Sequence, residues 1–331
     1  MRIIIIGQGP FGEKVLEALL RKGEEVVGVF SPPDKRGEPL KVLAEKSRIA
    51  VFQPSLMKNP QAYEDFVKLQ PDLAILAFVT DIIPEKILKV PSLGTICYHP
   101  SLLPRHRGAS AINWAIIQGD TRTGLTIFWA DKGIDTGPIL LQKEVEIGSD
   151  ETTGALYFNT LFPMGIEAIV EAVDLIKKGK APRISQDESK ATYEPPCDDR
   201  IASIDFEKSI NYIYNLIRGC DPKPGAYTAL HPSPYPSPLR GEGKGEGKKV
   251  RFYEAKMSSS NIERQPGEIV AIEQGGLEIA VRGGTLVIGK LRVDKGDKIG
   301  PLEFAQSVGI KVGDRLDKAD TEKRRLGDPV K

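Results

Sequence analysis

Through about residue 180, apolar positions come mostly in short runs. Between most of them lie stretches with apolar residues three and four apart. The runs at 2–6, 25–30, 50–52, 72–77, 94–99, 124–129 and 139–147 predict strands. A run that is apolar at every position is buried on both faces, as in a largely parallel sheet covered by helices on both sides. Phe11, Val15, Leu16, Leu19 and Leu20 share one face of a predicted helix. A longer helical pattern over 153–178 stops at Gly179.

After residue 180 the texture changes. Residues 186–205 are polar, contain Pro195-Pro196 and read as a linker. Residues 206–219 look helical, with Ile210, Ile213, Tyr214 and Ile217 on one side. From 267 onward, "GEIVAIE", "LEIAVR" and "TLVIGKLRV" predict short strands, with turns at Gly275-Gly276 and Gly283-Gly284. The pattern therefore predicts an α/β domain over 1–185, a linker over 186–205, a small barrel-like β-domain over 206–318 and a tail over 319–331. Inside the β-domain, "HPSPYPSPLRGEGKGEGKK" at 231–249 has almost nothing to bury. It is expected to be a disordered surface loop, tolerated between two β-segments.

Composition narrows the picture. A length of 331 residues suits two domains of roughly 150 each. With 46 basic and 45 acidic residues, the net charge is +1, and no global basic field advertises nucleic acid. Cys97, Cys197 and Cys220 lie far apart without C-x-x-C spacing, which suggests a reducing compartment. No apolar stretch approaches the roughly 20 residues that a membrane helix needs, and residues 1–6 are too short for a signal sequence. A soluble, cytoplasmic protein without a membrane partner is expected.

Gly7, Gly9 and Gly12 spell G-x-G-x-x-G between the first strand and the first helix. A dinucleotide site would also need an acidic residue roughly 20 positions on, at the tip of the second strand. That strand ends Val29-Phe30-Ser31, then two prolines; Asp34 lies beyond its tip. Pro10 removes one backbone N–H from the loop that would cradle phosphate. A tight turn with close packing is the better reading, so no NAD is expected.

The stretch "GTICYHPSLLPRHRGASAINW", residues 94–114, carries chemistry. A strand runs into His99, and Pro100 stops it. Alternation puts Cys97 and His99 on the same side. Ligands of open α/β sheets bind at the carboxyl edge. Of three histidines, His231 lies in the low-complexity insert, and His106 does not sit at a strand end. In "WADKGIDTGPILLQ", residues 129–142, Asp131 reads as a turn residue. Asp135 leaves a neighbouring strand and can reach His99. A carboxylate beside an imidazole fixes its orientation and equips the pair to move protons.

"HPSLLPRHRGASAINW" and "DKGIDTG" resemble the folate-dependent formyltransferase family, which includes methionyl-tRNA formyltransferase and the hydrolase domain of 10-formyltetrahydrofolate dehydrogenase. The likeness extends through "INYIYNLIRGCDPKPGAYT" and the β-domain; only 231–249 has no counterpart. The resemblance implies a Rossmann-like N-terminal domain and a C-terminal β-barrel of oligonucleotide-binding type. It implies 10-formyltetrahydrofolate as formyl donor and no metal. By motif match, His99 and Asp135 take the catalytic positions. Ser101, Leu102, Leu103 and Pro104 match a folate-contacting "SLLP", and Asp81, Ile82 and Ile83 match the loop beside the pterin and formyl group. A formyl amide passes through a tetrahedral oxyanion, and its departing N10 needs a proton. His99 oriented by Asp135 can serve either need.

Two departures bear on the formyl acceptor. The family's transferases usually carry Asn two residues before the catalytic His; here Cys97 stands there, a much weaker donor. A strand cysteine is more often a small hydrophobe than a nucleophile. The loop after the second strand is short, with only Lys35 and Arg36 before Leu40, whereas a tRNA ligand calls for several phosphate contacts. Arg105 and Arg107 are the nearby cations, either helping such a ligand or standing as solvated loop charges. Water or a non-tRNA amine, such as a sugar amine, is the favoured acceptor. Initiator methionyl-tRNA is the alternative partner, and a non-catalytic folate- or nucleotide-binding protein is the alternative of another class.

Overall fold

In the computed structural model, residues 1–33, 37–230, 248–258 and 264–318 are described. The expectations for Asp34, Lys35 and Arg36, for most of the insert and for the tail over 319–331 lie outside them.

Seven strands form the first sheet: β1 (Arg2–Gly7), β2 (Glu25–Phe30), β3 (Ala50–Phe52), β4 (Leu73–Ala77), β5 (Gly94–His99), β6 (Arg122–Trp129) and β7 (Ile139–Glu146). Their order is β3-β2-β1-β4-β5-β6-β7. The strands from β3 to β5 pair in parallel, while β6 is antiparallel to both β5 and β7. The alternation of side chains sorts the isoleucine run. Ile3 and Ile5 enter a core with Phe11, Val15, Leu16 and Leu19 of α1 (Gly9–Arg21). Ile4 and Ile6 enter a separate core on the other face, with Phe30 and Phe66.

Gly7 and Gly12 have packing roles, and Gly9 a turn role. A Cβ on Gly7 would lie 2.3 Å from the carbonyl oxygen of Ala77 on β4. Gly9 has φ +64°, and a Cβ on Gly12 would meet Leu40 Cδ2 at 3.0 Å. The amide of Gly9 donates to the carboxylate of Glu38, which also accepts from Lys41 N at 2.8 Å. Glu38 is buried and caps α2 (Pro39–Lys46). One carboxylate thus sits at two positive helix ends.

The pattern over 153–178 corrects one expectation. The helix Thr153–Lys177 is, by length and composition, long and apolar enough to cross a membrane, with a mean hydropathy of 1.2. Its apolar side has a use within the fold: Ala168, Ile169, Ala172, Val173 and Ile176 belong to the first core.

Contacts divide the chain into two units. The first comprises Met1–Ala111, Arg122–Glu146 and Leu156–Pro195; the second comprises Ile112–Thr121, Ile147–Ala155 and the described part of Pro196–Lys331. The stretch read as a linker therefore ends in two different units. Its first half is tied into the first unit by hydrogen bonds between Gln186, Glu188, Thr192 and Glu194 and residues 106–107 and 135–137.

The second unit holds five antiparallel strands: β8 (Tyr227–Leu230), β9 (Lys248–Ser258), β10 (Ile269–Glu273), β11 (Gly276–Val281) and β12 (Gly284–Val293), in the order β10-β11-β12-β9-β8. Arg315 bridges to Glu268 beside β10, and Asp317 bridges to Ala229 on β8, so one short segment touches both edges and closes the sheet toward a barrel. Leu230 pairs with Lys248, and Ala229 with Lys249. The last two insert residues are therefore strand, and the insert joins two paired strands.

Cys197 and Cys220, distant in sequence, come together at 3.7 Å between sulfurs. The hydrogen bond from Cys220 holds the Cys197 thiol below its ordinary range, and the same bond together with burial pushes Cys220 up.

Two outcomes follow for stability and reactivity. Gly7→Ala should destabilise the chain by about 2 kcal/mol or more in urea denaturation, because the obstacle is backbone. Gly12→Ala should stay within about 1 kcal/mol, because Leu40 can shift and alanine favours the helix; the reverse order would refute the packing assignment. A lowered thiol carries more thiolate near neutral pH. Limited alkylation with iodoacetamide, read by peptide mass, should therefore label Cys197 before Cys220 and Cys97.

Candidate active site

His99 ends β5 and is buried, with 5% of its surface exposed. The loop after it is tightly held. Ser101 N donates to the His99 carbonyl (3.0 Å), and Ser101 Oγ to that of Arg105 (2.7 Å). Thr126 Oγ1 donates to the Ser101 carbonyl (2.7 Å), and Gln142 Nε2 to that of Leu103 (2.9 Å). Within the "SLLP" stretch, Ser101 and Leu103 are buried, while Leu102 and Pro104 are half-buried.

Asp135 reaches His99 by an indirect route. Because β6 is antiparallel to β5, its end at Trp129 pairs with Ile96 rather than with His99. The loop to β7 turns back, and Asp131 secures its start by accepting from Gly133 N (3.0 Å) and Thr136 Oγ1 (2.7 Å). Gly137 allows the close return: a Cβ there would lie 1.7 Å from the Trp129 carbonyl oxygen. Asp135 itself has φ +56°, a left-handed conformation that costs an L-residue about 1 kcal/mol. Its Oδ2 accepts from Gly108 N (2.7 Å) and lies 3.5 Å from His99 Nδ1. On the other side of the ring, His99 Nε2 lies 2.7 Å from the His106 carbonyl oxygen. Each ring nitrogen faces an acceptor, so the ring is clamped in one orientation, and only its doubly protonated form donates to both.

Cys97 lies two residues before His99 and packs against the core that holds Ile4 and Ile6. The residue is half-buried and its thiol deeply enclosed. Burial, and after it the Asp135 carboxylate, push the thiol well above its ordinary range. Near neutral pH it is a protonated, weak donor and a poor nucleophile.

The predicted pterin loop forms a separate wall. Asp81 Oδ2 accepts from Met57 N (2.6 Å), Ile82 is 74% exposed and Ile83 is buried. Asp81 lines a cleft of about 380 Å³, open to solvent, with Gly7, Gln8, Ser31, Met57 and Phe78. Among the described residues, its lining carries one carboxylate and no cation, and includes none of His99, Cys97 and Asp135. Among the described residues, no group of three or more His, Cys, Asp or Glu is placed to hold a metal ion.

The remaining partners come from a stretch that carried no periodic signal. Thr192 Oγ1 accepts from His106 N (2.8 Å), and Glu194 Oε1 lies 3.2 Å from His106 Nδ1. His106 is buried with φ +55° and serves the loop, offering its carbonyl to His99. Arg107 is neither solvated nor free for a ligand. It is buried and pairs in a fork with both oxygens of Glu188 (2.9 and 2.6 Å). The acid that pairs with Arg107 lies 81 residues away in the chain, beyond the reach of any local sequence pattern.

The family description "formyl transferase" matches residues 1–173, and "formyl transferase, C-terminal domain" matches residues 199–309. The chain is 49% identical over 235 residues to cytosolic 10-formyltetrahydrofolate dehydrogenase of Homo sapiens, a match covering 69% of this chain and 26% of the relative. The chain thus spans about a quarter of the length of that dehydrogenase. It is 35% identical over 328 residues to methionyl-tRNA formyltransferase of Geotalea uraniireducens, covering 97% of this chain and 99% of the relative. Among solved structures, HypX from Aquifex aeolicus in complex with tetrahydrofolic acid shares the fold, with a TM-score of 0.66 at 18% identity over 97% of this chain and 51% of that one. The chain belongs to the formyl transferase family, with both of the family's domains represented in it.

Proposed function

We propose that this chain moves the formyl group of 10-formyltetrahydrofolate to water or to a non-tRNA amine. The observation that carries the choice of acceptor is Cys97, a weak and enclosed thiol beside His99 and Asp135 where the family's transferases usually carry a carboxamide. The higher identity to the dehydrogenase over its matched segment points the same way. So does Arg107, whose guanidinium is spent on Glu188 and Gln186. In this reading the exposed Ile82 offers an apolar surface for the flat pterin. His99, held by Asp135, stabilises the oxyanion or protonates the departing N10. Methionyl-tRNA is the second reading, favoured by the match to a methionyl-tRNA formyltransferase along nearly its whole length.

The full-length protein is incubated with 10-formyltetrahydrofolate, with and without charged initiator tRNA. Formate released without tRNA supports hydrolysis, and formyl-methionyl-tRNA supports transfer to that acceptor. A third arm supplies a sugar amine in place of tRNA; if the donor persists in all three arms, the proposal fails. His99→Ala should keep donor binding and lose about 100-fold or more in turnover; unchanged turnover would remove His99 from the chemistry. Cys97→Asn, which puts at this position the carboxamide that the family's transferases usually carry, should raise amine formylation relative to hydrolysis by about 10-fold or more. An unchanged ratio would show that position 97 does not set the acceptor.

A further inference from the structure

Gln186 lies in the polar stretch that carries no sequence signal, and it uses its whole head group. Its Nε2 donates to the carbonyl oxygens of Asp135 and Gly137, each at 2.8 Å. Its Oε1 accepts from Arg107 Nη2 at 2.7 Å and Nε at 3.2 Å. A carboxamide has two N–H donors and an oxygen with two lone pairs, so all four positions are taken. The orientation is thereby fixed. Turned over, the oxygen would face two carbonyl oxygens, and the NH₂ would face a guanidinium.

Those four bonds join the two arms that meet at His99. On one arm, the left-handed backbone of Asp135 is held by its carbonyl, leaving the carboxylate to face His99 Nδ1. On the other, Arg107 stands between His106, whose carbonyl faces His99 Nε2, and Gly108, whose N–H binds the Asp135 carboxylate. Glutamate has no hydrogen to give to Asp135, and methionine has neither donor nor a comparable acceptor.

We infer that Gln186 is a positioning residue, which sets Asp135 against His99 and acts on the reaction chiefly through Asp135. The inference rests on the reading of His99 and Asp135 as the reacting pair. The test is a double-mutant cycle in the full-length protein, with formate release from 10-formyltetrahydrofolate as the readout. Gln186→Met should lower kcat by about 10- to 100-fold with KM changed by less than about 3-fold, as for other residues that orient a reacting group. Gln186→Glu, which keeps the size and the Arg107 partner, should lose a similar factor, and it carries the test if the methionine variant does not fold. In an Asp135→Asn background, either substitution should cost less than about 3-fold more, because residues acting as a unit are not additive.

Full multiplication of the two losses in the double variant would overturn the inference. So would wild-type kcat in Gln186→Glu, or a rise in KM at constant kcat. The underlying reading fails separately, if Asp135→Asn and His99→Ala both turn over like the wild type.

Discussion

The site depends on one reversal of strand direction. β5 carries His99 to the carboxyl edge of the parallel part of the sheet, and its neighbour β6 runs the other way. The end of β6 is therefore level with Ile96, about 10 Å short of His99 at the rise of a strand. Whatever the next loop contributes must be carried back. The narrow passage at Gly137, the Asp131 turn and the left-handed Asp135 are consequences of that return path. Both loops at the site are irregular, and irregular backbone near a protein interior needs partners outside the sheet.

Those partners are polar and charged. Arg107 is covered by Glu188, and His106 Nδ1 faces Glu194, so the polar groups around the imidazole have local partners. Removing Glu188 would leave the buried Arg107 guanidinium without its carboxylate, which is costly. The segment 186–194 therefore behaves as a strap with specified contacts.

Legibility in the sequence follows from what burial encodes. Most strands were readable because they are short apolar runs, β7 by its alternation instead, and the two cores because Ile3 and Ile5 alternate with Ile4 and Ile6. Strand direction was not readable. β6 is buried along nearly its whole length, like the parallel strands beside it, and burial is blind to polarity. His99 and Asp135 stood out by residue type and by family likeness. Gln186, Thr192 and Glu194 did not, because they have no periodicity and their partners lie about 50 to 90 residues away in the chain. The approach of Cys197 to Cys220, 23 residues apart, was hidden because no spacing motif joins them. The helix Thr153–Lys177 shows the opposite difficulty: its composition alone overstates how apolar its surroundings must be, because one face serves the core.

The glycine loop gains a different meaning from the buried Glu38. Its carboxylate is attached to the chain 29 residues away and held on the Gly9 amide by the fold. A tethered group of this kind acts at an effective concentration on the order of millimolar or higher. A diffusing anion would have to displace it, and would then have to share the space with the carboxylate it displaced. The turn between β1 and α1 thus comes with its own internal anion, and competition rather than glycine spacing governs what else can bind there.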